Sequence, residues 1–279
     1  MQETLILIQC QDAVGLVSNI SNILAQHKLN IITMREYVDE QNNNFFVRVV
    51  CKGNAEENNG LYSHLKAVLP EKSNISISVP SKKKIIVLVT KEHHCLADIL
   101  IRHYFNTLNA EVCAVIGNYE NLKEFANKFD IPYHFINHQN KTKKHFEEEI
   151  SSIITEIKPD YIVLAKFMRI LSADFVERFK NKIINIHHSF LPAFIGANPY
   201  QQAYNRGVKI IGATAHFVTN ELDEGPIIVQ NTQAIDHSYD KEKMKTVGQE
   251  IEKAVLCKAI QLLTEDRVML NGNKTIIFS

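Results

Sequence analysis

The segment Asn185-Ile186-His187-His188-Ser189 follows an apolar run and is closed by Pro192. In an extended strand, side chains two apart share a face, so Asn185 and His187 point one way and Ile184 and Ile186 the other. An amide beside an imidazole at a strand end can donate to a developing oxyanion and move a proton. A carboxylate completes the set. The candidate is Asp223 in Glu221-Leu222-Asp223-Glu224-Gly225-Pro226, where Gly225 and Pro226 enforce a turn that can return it to the sheet edge. Amide, imidazole and carboxylate together suit attack on a carbonyl by an amine or water, with no Ser or Cys nucleophile. An isolated strand His is most often a hydrogen-bonded core residue, but Asn-x-His-His-Ser before a proline, with a distant Leu-Asp-Glu-Gly-Pro, reads as a site. His187, His188 and His216 also invite a metal reading. Neighbouring His residues point to opposite strand faces and no H-E-x-x-H spacing occurs, so no metal is expected.

The elements that must position these residues fall into two patterns. From about residue 84, near-continuous apolar runs (KIIVLVT, EVCAVIG, PDYIVLAKFM, NKIINIHH) read as parallel strands buried on both faces. Helix stripes lie between them: Phe146, Ile150, Ile153, Ile154 and Ile157, then Phe175, Val176 and Phe179 after a Ser172 cap. IIGATAHFV and GPIIVQNTQAI form an antiparallel pair around TNELDEG, and a long helix runs through Met244, Val247, Ile251, Val255, Ala259 and Leu262. This is a doubly wound, mostly parallel α/β sheet, whose ligands bind at the carboxyl ends of the strands, where Asn185 and His187 fall. No G-x-G-x-x-G follows the first strand, so a dinucleotide is not expected. The first eighty residues read differently, as a βαββαβ ferredoxin-like unit, with the first helix presenting Val14, Val17, Ile20, Ile23 and Leu24. PSKKK, at 80 to 84, marks the boundary, giving domains 1–80 and 85–279 with a linker at 81–84.

Lys plus Arg and Asp plus Glu both number 31, so no excess basicity draws the chain to nucleic acid or an anionic membrane. The longest apolar runs fall far short of the roughly 18 residues of a spanning helix. No signal-peptide pattern opens the chain, and a cytoplasmic location is expected. Cys10, Cys51, Cys95, Cys113 and Cys257 show no C-x-x-C pair and read as small buried hydrophobes.

At the site residues the sequence resembles the folate-dependent formyltransferase superfamily. The resemblance rests on VTKEHHCLADIL, PDYIVLAKFMRILS, the stretch from NKIINIHHSFLPAFIGANPYQQ to LDEGPIIVQ, and the terminal NGNKTII. Within the superfamily it is most similar to the hydrolytic branch, the formyltetrahydrofolate deformylases. That resemblance implies hydrolysis of 10-formyltetrahydrofolate to formate and tetrahydrofolate, balancing the one-carbon pool and supplying formate for purine biosynthesis, with Asn185, His187 and Asp223 as the catalytic triad and no cofactor. It implies folate across Met168, Arg169, Ile170 and Leu171, and along Thr219, Asn220, Glu221, Leu222 and Gly225. Phe190 and Leu191 would shape the wall beside the triad. His188, where the amine-formylating branch usually has Pro, is a candidate for placing the attacking water. That rival branch also opens its first loop with Gly-Ser-Asn to cradle phosphate, whereas this chain has Lys91-Glu92-His93-His94. Asn198 and Gln201 stand where the family is expected to have Arg and His, which bears on folate affinity. A transfer enzyme, or a catalytically silent amino-acid sensor, are the alternatives.

QDAVGLVSNI, with the βαββαβ order, resembles an ACT domain. Asp12, Gly15 and Leu16 enter its first helix, where backbone donors can receive an amino acid's carboxylate. The resemblance implies that Asn30 faces this loop from a neighbouring copy, giving a homo-oligomer. Glycine or methionine is the expected effector.

Overall fold

The computed structural model describes residues 2–53, 60–193 and 199–278, and divides into two compact units. The first comprises residues 1–81 with Arg267–Met269 and Ile276–Ser279; the second comprises Lys82–Asp266 with Leu270–Thr275.

In the first unit, β1 (Glu3–Gln11), α1 (Leu16–Gln26), β2 (Asn30–Asp39), β3 (Asn44–Lys52), α2 (Leu61–Val68) and β4 (Asn74–Ser78) form a βαββαβ unit. Its four-stranded sheet has the order β2-β3-β1-β4, with every pairing antiparallel. Ile6, Ile8 and Cys10 of β1 and Val47, Val49 and Cys51 of β3 alternate onto one face. There they pack with Leu16, Ile20 and Leu24 of α1 and with Leu61 and Leu65 of α2. The expected α1 stripe needs correction. Gly15, at φ 88, caps a helix that begins only at Leu16, so Val14 precedes it and is fully exposed, and Val17 is 42% exposed.

The second unit contains β5 (Lys83–Val89), α3 (His94–Tyr104), β6 (Ala110–Gly117), α4 (Lys123–Asn127), β7 (Tyr133–Phe135), α5 (Lys143–Ile157), β8 (Tyr161–Leu164) and α6 (Ala173–Arg178). It continues through β9 (Ile183–His187), α7 (Pro199–Arg206), β10 (Ile210–Phe217), β11 (Ile227–Ala234), α8 (Lys241–Thr264) and a hairpin of β12 (Val268–Asn271) and β13 (Lys274–Ile277), whose ends belong to the first unit. The seven-stranded sheet runs β11-β10-β9-β8-β5-β6-β7, parallel from β9 to β7 and antiparallel at β10 and β11. Ile85 to Val89 are buried without alternation, as a strand covered on both faces requires.

Three expectations change here. Lys83 and Lys84 pair with Ala110 and Glu111, so the basic stretch is partly strand, and the connection before it is shorter than expected. β8 stops at Leu164, and Lys166 takes a left-handed φ of 59, so 165–172 is a loop at the strand's carboxyl end. β9 stops at His187, placing His188 outside the ladder. Four cysteines are buried and Cys113 is half-buried. α4, α7, β7 and the strands of the terminal hairpin are too short or too polar to be read from periodicity.

Candidate active site

β9 sits between β8 and β10, so its carboxyl end is flanked by the loop after β8 and by the register of β10. His187 Nδ1 lies 3.3 Å from Asp223 Oδ2. Its other nitrogen, Nε2, is buried with no hydrogen-bond partner. A carboxylate oxygen only accepts, so Nδ1 carries a proton, and in a neutral ring Nε2 would present a lone pair. Burial alone would raise the Asp223 carboxyl, but the neighbouring His187 and His216 rings outweigh it and hold the group well below the usual carboxylate range.

Asn185 stands directly opposite His216 in the β9–β10 ladder. His216 Nδ1 is 2.8 Å from the Phe217 carbonyl and must donate to it, so in a neutral ring Nε2 accepts from Asn185 Nδ2 at 3.3 Å. That bond fixes which way the Asn185 amide faces. His216 Nε2 also lies 3.7 Å from Asp223 Oδ1. The sequence reading weighed His216 only as a metal ligand; its position opposite Asn185 becomes visible once the strand register is known.

Asp223 adopts a left-handed backbone, φ 58, in the turn between β10 and β11. Gly225 is required there by proximity: a Cβ would stand 1.8 Å from the Phe217 carbonyl oxygen. The tip of the terminal hairpin supports the same turn, Asn273 Nδ2 donating to the Glu224 carbonyl at 3.1 Å and Thr275 Oγ1 to that of Ile227 at 2.6 Å.

These groups line a cavity of about 320 Å³. Asn185, His187, His188, Asp223, Met168, Arg169, Ile170, Leu171, Thr219, Asn220 and Leu222 all reach it, as expected. Met168, Ile170 and Leu222 expose large apolar side chains at 61%, 66% and 54%, as a flat aromatic ligand requires of its site. Leu164, Lys166, Phe167, Val176, Ile186, His216 and Val218 complete the lining and were not anticipated, Ile186 having been expected on the opposite strand face.

Four expected contacts are not brought to this cavity. Phe190 lines a smaller neighbouring cavity with His188 and Tyr200. Leu191 is buried, its N–H donating to Thr214 Oγ1 at 3.1 Å and its carbonyl accepting from Gln230 Nε2 at 3.0 Å, so it anchors the loop after β9. Gly225 packs on β10, and Glu221 does not line the cavity. His187 and His188 were expected on opposite faces. Because β9 ends between them, their rings lie 5.1 Å apart and both line the cavity. Burial, reinforced by Lys166 and His187, pushes His188 down to about 3, so it is uncharged at neutral pH.

The loop 165–172 is held at two points. Thr90 Oγ1 accepts from the Met168 N–H at 2.9 Å. Glu147, buried on α5, accepts from the Ser172 N–H at 2.8 Å and from its hydroxyl. Ser172 in turn caps α6.

His94, Cys95 and Glu252 bring possible ligand atoms within 4.8 Å of one another. Glu252 is committed to His94, Lys166 and Tyr200, and burial holds the Cys95 thiol well up, so the cluster reads as a hydrogen-bonded network.

In the first unit, Asp12 and Gly15 lie in the loop after β1, and Leu16 is buried in the core. Asn30 pairs with Lys52, which also faces Glu3, whereas Gln11 pairs with Asn44. Asn30 is therefore at the other end of the sheet, and one copy does not join it to Asp12. Asn198 lies outside the described residues; Gln201, on α7, donates to Asn205 at 2.8 Å.

A doubly wound sheet with amide, imidazole and carboxylate on a cavity at its carboxyl edge, preceded by a βαββαβ unit, defines an ACT-bearing protein of the formyl transferase class. The formyl transferase family model matches residues 83–260 and the ACT domain model residues 4–70. Proteins named formyltetrahydrofolate deformylase from Haemophilus influenzae and Escherichia coli are 48% and 45% identical to the chain over 277 residues, 99% of each chain. The crystal structure of a formyltetrahydrofolate deformylase from Pseudomonas syringae pv. tomato superposes with a TM-score of 0.95 at 35% identity, over 100% of this chain and 95% of that one. A glycinamide ribonucleotide transformylase from Symbiobacterium toebii superposes at 0.68 and 28% identity over 71% of this chain and 95% of its own. The chain belongs to the formyltetrahydrofolate deformylase family. No helix among the described residues is long and apolar enough to cross a membrane.

Proposed function

We infer that this chain hydrolyses 10-formyltetrahydrofolate to formate and tetrahydrofolate, with Asn185, His187 and Asp223 carrying the reaction. The observation that carries this is the partnerless Nε2 of His187, buried on the cavity wall while Asp223 holds the other ring nitrogen. Folate lies across Met168 to Leu171 and along Thr219 to Leu222, with its formyl group between Asn185 and His187. Water, held by His188 and deprotonated through His187 and Asp223, adds to the formyl carbon. Asn185 and His187 donate to the oxyanion. The carbon–nitrogen bond then breaks, the folate nitrogen takes a proton from the site, and formate leaves. A water acceptor is supported by His94, which ends the loop after β5 in a buried pair with Glu252 at 2.7 Å rather than in a glycine cradle.

The ACT unit supplies oligomerisation and an amino-acid effector site at Asp12 and Gly15, completed by Asn30 of a second copy, with glycine or methionine as the ligand. Calorimetry that detects neither amino acid, together with an unchanged rate in their presence, removes the effector.

The test of the reaction is incubation with 10-formyltetrahydrofolate, with and without glycinamide ribonucleotide. Formate release that is independent of the amine is the expected result. Formylation of the amine selects a transferase, and no reaction selects a sensor.

A further inference from the structure

Glu252, in the middle of α8, has no solvent exposure and is held by three elements. His94 Nε2 of α3 lies 2.7 Å from its Oε2, Lys166 Nζ of the loop after β8 lies 3.2 Å from the same oxygen, and the Tyr200 hydroxyl of α7 donates to Oε1 at 2.6 Å. Taking a carboxylate out of water is costly unless every oxygen is partnered, and here both are. His94 and Lys166 are themselves each only 6% exposed.

The helix is shaped to allow this. Gly248, one turn before Glu252, costs a helix interior about 1 kcal/mol relative to Ala. A Cβ there would meet the Tyr200 hydroxyl at 2.0 Å, so the glycine opens the path by which Tyr200 reaches the carboxylate.

Two of the three partners converge on His188. Its ring centroid is 6.1 Å from that of Tyr200. Lys166 and His188 line both the folate cavity and a second cavity of about 360 Å³ on the α8 side, whose walls include Glu92, Tyr200, Lys245 and Glu252. A space of that size with polar groups on its wall can hold water, which needs two to four polar partners to be ordered. The Lys166 ammonium, the Tyr200 oxygen and the His188 ring are such partners, and two of them are fixed by Glu252.

We propose that Glu252 is a positioning residue of the hydrolysis: by gripping Lys166 and Tyr200 it fixes the wall against which His188 holds the attacking water. The proposal rests on the reading that His188 places this water. Tyr200 does not line the folate cavity, so loss of its hydroxyl acts on the water and leaves folate binding intact, whereas Glu252 also reaches that cavity through Lys166.

The test is a double-mutant cycle on the full chain with 10-formyltetrahydrofolate, reading kcat and KM for Tyr200→Phe, His188→Ala and the pair. Tyr200→Phe removes one hydroxyl and keeps the ring. It is expected to lower kcat about tenfold with KM within about twofold, while the pair matches His188→Ala alone within about twofold. Glu252→Gln is expected to lose more kcat than Tyr200→Phe and to be equally silent in the His188→Ala background. Loss of the same factor in that background, or wild-type kcat in Tyr200→Phe, overturns the role of Glu252. A His188→Ala variant with wild-type turnover instead overturns the water-placing role of His188, and the proposal with it.

Discussion

His187 meets Asp223 through Nδ1 at 3.3 Å while its Nε2 is buried without a partner. The carboxylate sets the tautomer, and in the proposed reaction the free nitrogen moves the proton. Asp223→Asn keeps the shape but offers an amide in place of the charge. It is expected to lower kcat by about 10² to 10⁴ with little change in KM, measured as formate release at saturating folate.

Asn185 and His216 form a cross-strand pair in which His216 orients the amide. Asn185→Ala removes an oxyanion donor and is expected to cost about 10² to 10³ in kcat. His216→Ala leaves the donor in place but free to turn. Its single-turnover rate should fall less, by about tenfold.

Much of this was legible beforehand, and the limits are instructive. Period-2 and continuous apolar runs identify β5, β6, β8 and β9, since burial on one or both faces writes itself into composition. The meeting of Asn185, His187 and Asp223 is legible because Asn185 and His187 share a strand face and Gly225-Pro226 mark a turn. His216, Lys166 and Glu252 were missed because each acts through tertiary placement: a cross-strand register, a left-handed residue after a strand, and a helix face that meets three other elements. Glu252 sits in an apolar stripe where a charge reads as an ordinary surface residue. Phe190 and Leu191 stand apart from the cavity that Asn185 and His187 line, because Leu191 is tied to Thr214 and Gln230 and Phe190 lines the smaller cavity beside it, a placement that a loop sequence does not reveal.

Gly225 makes its own prediction. With a Cβ only 1.8 Å from the Phe217 carbonyl oxygen, Gly225→Ala must displace the turn that carries Asp223. The expected loss is about 3 kcal/mol or more, read from the urea midpoint, with activity lost alongside.

Glu147 ties α5 to the start of α6 and so to the 165–172 loop, proposed to receive folate. Glu147→Ala leaves the Ser172 N–H unmet, at about 1 to 3 kcal/mol. If the loop binds substrate as proposed, KM should rise severalfold with kcat nearly unchanged.

Acid should destabilise the fold in a defined way. His188 falls from 6.5 to about 3 through burial, with Lys166 and His187 adding to it. The unfolded chain binds that proton near 6.5 and the folded chain does not, so stability declines as pH drops from 6.5 towards 3. Burial alone would raise Glu252, but His94, Lys166 and Tyr200 outweigh it and set the group at about 2, so its contribution is present above 4.5 and is lost below. Urea midpoints at pH 7 and pH 5 should differ less for His188→Asn than for the wild type. Equal differences would contradict the account.

The central claim, that water accepts the formyl group at the Asn185, His187 and Asp223 site, is tested most directly by one turnover of 10-formyltetrahydrofolate in water labelled with oxygen-18. The account predicts free formate carrying a single labelled oxygen from the wild type and almost none from Asp223→Asn. Unlabelled formate, or equal labelled formate from both proteins, would contradict it.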